Sequence, residues 1–100
     1  MAGQANLQRV VERFSVISAN TTAIALWTYH ITTASTITLP NPATLAVGDW
    51  VKFTKKIGVI PTIQRNNTEQ IKTAKGSDTS VLFDIECEVI FVWNGTEWEV

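Results

Sequence analysis

Short apolar stretches recur along the chain, separated by Asn, Gly, Pro and Ser at roughly 8–12 residue intervals, the spacing of strands in an all-β sandwich or barrel. No helical repeat is sustained. From Gln4 to Phe14, the residues Leu7, Val10, Val11 and Phe14 stand at i, i+3, i+4 and i+7 and could form one face of a short helix. The same stretch also fits a flexible arm followed by a first strand over Val10 to Ser18, where Phe14, Val16 and Ser18 alternate with Ser15 and Ile17. The arm and strand are the preferred reading.

Ala23 to Thr33 carries Ile24, Leu26, Thr28 and His30 on one parity and Trp27, Tyr29 and Ile31 on the other, so both faces are partly apolar. Such a strand is either central or pressed against another chain, which makes Trp27 and Tyr29 candidates for a subunit interface. Thr36 to Leu39 alternates cleanly and is stopped by Pro40-Asn41-Pro42, whose fixed φ and missing N–H groups end a ladder. Gly48 opens a turn into Trp50 to Thr54, in which Val51 and Phe53 share a face. Lys55 to Gly58 reads as a polar loop, and Val59 to Gln64 as a strand whose Pro61 suits an edge or a bulge. After the turn Arg65-Asn66-Asn67 come a short strand at Ile71, a loop over Thr73 to Asp78, and strands over Val81 to Asp84 and Glu86 to Trp93. Asn94-Gly95 then forms a hairpin turn joining Trp93 to Trp98. The expected fold is all-β: one small antiparallel β-sandwich or barrel of about seven to eight short strands over residues 10–100, preceded by an arm over residues 1–9. Its expected core is Leu26, Ile37, Val51, Phe53, Ile63, Phe83, Val89 and Phe91.

At 100 residues the chain has room for one core and not for two. Apolar residues make up 45% and charged residues only 17%, so the surface is either partly covered by a partner or unusually rich in Thr and Asn. Eight basic and nine acidic side chains leave a net charge of −1, and no Lys/Arg cluster exceeds Lys55-Lys56. The phosphate-neutralising stripe of a nucleic-acid binder is missing. Neither a basic-then-apolar leader nor a run of membrane-spanning length is present, so neither export nor a membrane partner is expected. Cys87 stands alone in an apolar run and reads as a buried thiol.

Candidate chemistry is sparse. The single histidine, His30, has no Cys, His or Asp cluster around it at ligand spacing, and no GxSxG, HExxH, P-loop or GxGxxG pattern occurs. No catalytic residue, cofactor or bound metal is expected. Asp84, Glu86 and Glu88 have period-2 spacing, which in a regular strand puts three carboxylates on one face. That face could attract Ca²⁺, but hard-cation sites recruit loop carbonyls and close-set Asp and Asn, so a solvated face is preferred. Glu97 and Glu99 repeat the arrangement, and these acids could face Lys52 or Lys72 of a neighbouring subunit. Trp50 and Trp98 could stack against the sugar rings of a host-surface polysaccharide, or simply fill core and seams.

Thr36-Ile37-Thr38-Leu39-Pro40, Gly48-Asp49-Trp50-Val51, Thr62-Ile63-Gln64-Arg65-Asn66-Asn67, Ile71 and Phe91-Val92-Trp93-Asn94-Gly95-Thr96-Glu97-Trp98 form a set. In order and spacing, from about Val10 to the end, they resemble a β-module of tailed-bacteriophage tail-fibre, neck and capsid-decoration proteins. Each element is an ordinary strand and turn, and their joint order carries the resemblance. Two departures are Asn67 and Lys72, where members of that family commonly have Gly. The resemblance implies a structural virion protein, assembled in the bacterial cytoplasm as a homotrimer. Its partners would be capsid, neck or tail proteins. It further implies that the arm attaches the module to the particle, through Leu7, Val10 and Val11. The alternative function is a carbohydrate-binding adhesin module.

Overall fold

The computed structural model describes residues 13–84 and 87–100. Leu7, Val10 and Val11, the expected docking residues of the arm, lie outside them. The described residues form eleven strands: β1 (Arg13–Ile17), β2 (Thr21–Thr22), β3 (Trp27–Ile31), β4 (Thr36–Thr38), β5 (Trp50–Lys55), β6 (Thr62–Gln64), β7 (Ile71–Thr73), β8 (Gly76–Asp78), β9 (Ser80–Leu82), β10 (Glu88–Trp93) and β11 (Trp98–Glu99). One turn of 3-10 helix, Pro42–Thr44, follows β4. The Asn41 side chain caps it by accepting from the Ala43 N–H.

The all-β expectation holds, but most of the pairing runs in the opposite sense to that expected. The strands build a large sheet, in the order β1-β3-β5-β10-β11-β7-β8, and a small one, β2-β4-β6-β9. Along β1 to β6 the chain alternates between the two, so each return to a sheet runs in the same direction as the last. The ladders β1–β3, β3–β5, β2–β4 and β4–β6 are therefore parallel, and residues 13–64 wind as a coil of three rungs. Only then does the direction reverse: β9 pairs antiparallel with β6 and β10 antiparallel with β5, closing one end of the coil.

Side chains tie the rungs at their corners. Asn20 Oδ1 accepts from the Thr36 N–H at 2.8 Å, Thr33 Oγ1 donates to the Ser18 carbonyl at 3.0 Å, and Asn66 Nδ2 donates to the Leu39 carbonyl at 3.1 Å. Much of the Thr and Asn content is thus structural, holding corner backbone groups that would otherwise lack partners. Pro61 stands immediately before β6, an inner strand of its sheet, rather than at an edge. Its carbonyl accepts from the Phe83 N–H at 2.9 Å, and its lack of an N–H costs no ladder bond there.

The core lies between the sheets. On the large sheet Tyr29 pairs with Phe53 and Val51 with Phe91, and on the small sheet Ile37 pairs with Ile63. Aromatic rings run through the large sheet: Tyr29 stacks on Phe53 at 5.9 Å, and Phe53 meets Phe91 edge-on at 5.7 Å. Of the expected core, Ile37, Val51, Phe53, Ile63, Phe83 and Phe91 are buried and Val89 packs partly buried against them. Leu26 does not belong to it. It sits in the turn before β3 with φ at 69°, in the left-handed region, and its side chain is exposed.

Replacing Phe53, which touches both aromatic neighbours, by Ala should lower the unfolding free energy by about 3–5 kcal/mol in chemical denaturation. Ile57→Ala, on an exposed loop, should change it by less than about 0.5 kcal/mol.

Candidate functional site

Alternation along the strands of the large sheet sends one set of side chains into the core and the other outward. The outward set forms in-register rows. Phe14, Thr28, Lys52 and Ile90 make one, Val16, His30, Thr54 and Glu88 a second, and Trp50, Val92, Glu99 and Lys72 a third. Phe14 and Val16 at the β1 edge are 54% and 60% exposed, and Ile90 and Val92 on β10 are 45% and 40% exposed. Trp50 is half-buried next to Val92. The polar members of the face are largely paired with one another. Lys52 Nζ meets Glu88 Oε2 at 2.9 Å, and His30 Nδ1 lies 2.8 Å from Thr54 Oγ1. The face is thus apolar at four exposed positions and locally neutral between them.

The structure separates the residues singled out in the sequence. Trp27 is half-buried beside Tyr29, at 5.9 Å. Tyr29 is buried and unavailable to a neighbouring subunit, because its parity is the inward one and its hydroxyl accepts from the Ile24 N–H at 2.8 Å. Trp98 cannot stack on a sugar: it is fully buried, edge-on to Trp93 at 5.4 Å, and its indole N–H meets no acceptor among the described residues. Trp50 alone of the two glycan candidates keeps an exposed surface. Cys87 is exposed rather than buried, since β10 begins one residue later.

The three-carboxylate face does not form as expected. Asp84 lies outside any strand, Glu86 is outside the described residues, and Glu88 is bridged to Lys52 of the same chain. Glu99 likewise stands in register with Lys72 of its own chain. Among the described residues no three His, Cys, Asp or Glu side chains are grouped to hold a metal ion, and no helix is long and apolar enough to cross a membrane.

Two charged residues hold positions that sequence reasoning missed. Lys55, read as part of a polar loop, is the last inward residue of β5 and is buried. Its ammonium donates to the Val59 carbonyl at 2.7 Å and the Asp84 carbonyl at 3.2 Å, and lies 5.1 Å above the Phe83 ring. Its parity with Val51 and Phe53 was the available signal. Glu69 is also buried, its carboxylate accepting from the Asn66 N–H at 2.7 Å and the Asn67 N–H at 2.8 Å. Its position three residues after Asn66 carried that signal. Glu69 borders a shallow cleft of about 370 Å³, where Asn41, Asn67, Trp93 and Thr96 come together from three turns. A second cleft, about 640 Å³, opens between the sheets, with Val81, Leu82, Phe83 and Phe91 in its lining.

No protein-family model matches this chain, and no curated protein matches it in sequence.

Burial raises the pKa of the Tyr29 hydroxyl above its ordinary value of 10.0, outweighing the opposing hydrogen bond from Ile24. The folded state therefore holds this proton more tightly than the unfolded chain. The associated stability is complete below pH 10.0 and is lost as pH rises through the folded-state value. Tyr29 is the sole tyrosine, so phenolate absorbance reports it alone. Its midpoint should exceed that of free tyrosine, and Tyr29→Phe should flatten the decline of stability above pH 10.0.

Proposed function

We propose that this chain is a structural module of a tailed-bacteriophage virion, acting by assembly rather than catalysis. It would serve as capsid decoration or as part of a neck or tail fibre. The observation that carries this reading is the outer face of the large sheet. Phe14, Val16, Ile90 and Val92 lie exposed there in registered rows across β1, β3, β5 and β10, and the local charges are neutralised in the Lys52–Glu88 pair. Exposed apolar positions gathered on one sheet face, in two groups with polar residues between them, are the kind of surface that a macromolecular partner covers. Covering charges that are already paired costs less than covering unpaired ones, which would be left buried without a partner.

The sequence resemblance supplies the virion setting, the three-fold stoichiometry and the particle-docking role of Leu7, Val10 and Val11. The sheet face supports self-association independently of the resemblance. A second reading, a carbohydrate-binding module, is favoured by one observation: Trp50 is only half-buried on the same face.

Light scattering on the purified protein should give a native mass of three 11.1 kDa chains, or a multiple of three. Ile90→Lys, which puts a charge in the middle of the face, should reduce that mass. A wild-type protein that stays monomeric at every concentration overturns self-association in solution. Saturable glycan binding abolished by Trp50→Ala would replace the assembly reading with the carbohydrate one.

A further inference from the structure

The coil has two unlike ends. At one, β9 and β10 cover β6 and β5 with antiparallel strands; at the other, β1 and β2 each end their sheet. Among the described residues no strand lies beyond β1. The Ile17 carbonyl accepts from the Thr32 N–H at 2.9 Å and therefore points toward β3. Backbone groups alternate sides along a strand, so those of Arg13, Ser15 and Ile17 face β3, and the N–H and C=O of Phe14 and Val16 face the open edge. The same two residues carry the exposed apolar side chains of that edge.

We propose that this edge pairs with the same edge of a second copy, antiparallel about a two-fold axis at Ser15. The proposal rests on the assembly reading and names the partner and one contact. Centred there, Phe14 of each chain lies opposite Val16 of the other. Both are hydrogen-bonded pairs, so the four inter-chain bonds satisfy every open-edge N–H and C=O of the two residues in both copies. A two-fold centred on Phe14 or Val16 instead pairs one of them with itself and sends the other beyond its partner's β1. On the outer face the same register sets a Phe ring against a Val side chain twice, a favourable cross-strand combination. The edge is thus complementary to itself in backbone and side chain at one register, as an isologous contact requires. It also occupies an apolar edge that otherwise templates uncontrolled pairing.

Ser15 faces its own copy across the axis in the non-hydrogen-bonded position, where Cα atoms approach to about 4.5 Å, within disulfide reach. In a Cys87→Ser background, Ser15→Cys should form disulfide-linked pairs under mild oxidation, while Phe14→Cys, offset from its equivalent, should not. Combined with the three-fold reading, this two-fold contact makes the native particle six chains, and Val16→Lys should halve it to three. Absent Ser15→Cys cross-links with a mass unchanged by Val16→Lys would overturn the contact, as would equal cross-linking at Phe14→Cys. A trimer insensitive to Val16→Lys would overturn this contact and leave the assembly reading intact; a strict monomer would remove both.

Discussion

Everything in this fold depends on inward side chains stacking in register from one rung of the coil to the next. Ser15, Tyr29, Phe53 and Val89 form one inward row across the large sheet, and the rings of Tyr29 and Phe53 in that row are buried. A one-residue slip of β5 or β3 would turn Phe53 or Tyr29 to the surface and bring Lys52 or His30 into the core. Register must therefore be set locally as well as by burial. The corner bonds from Asn20, Thr33 and Asn66 do this by fixing where each strand starts relative to its neighbour.

The reversal after β6 turns a coil into a closed domain. A parallel stack has no internal reason to stop, and its last rung leaves core and backbone uncovered. Here the C-terminal strands cover that rung, and Lys55 fastens the junction by bonding both the loop after β5 and the segment before β10. The first rung has no such cover among the described residues, and the apolar outer face begins at its β1. The β1 edge and the apolar face are therefore neighbouring surfaces.

The strands were legible because period-2 alternation and turn residues are local signals. Thr36 to Thr38, Trp50 to Thr54 and the hairpin at Asn94-Gly95 were all readable in this way. Strand direction was not, since parallel and antiparallel strands share that period. The rungs also differ in length, so no internal repeat announces the coil: Arg13 pairs with Trp27, 14 positions on, and Thr28 with Lys52, 24 positions on. The candidate site was half legible. Parity grouped Trp27 with Tyr29 correctly but could not tell which parity faced inward, and Trp98 gave no local sign that its whole ring would be enclosed. Leu26 was misplaced because hydrophobicity says nothing about a left-handed turn.

The same difference in rung length bears on how such modules diversify. Between β4 and β5 the chain takes a detour through Pro40, the 3-10 turn and Gly48, yet β5 still lands in register on β3. The cost of closing a loop rises only with the logarithm of its length, so extra residues in a corner tax stability lightly. Ala43, Thr44 and Val47 are exposed along that detour. Foreign peptide grafted there would ride on an unchanged scaffold, making this corner a natural position for acquiring new surface features by insertion.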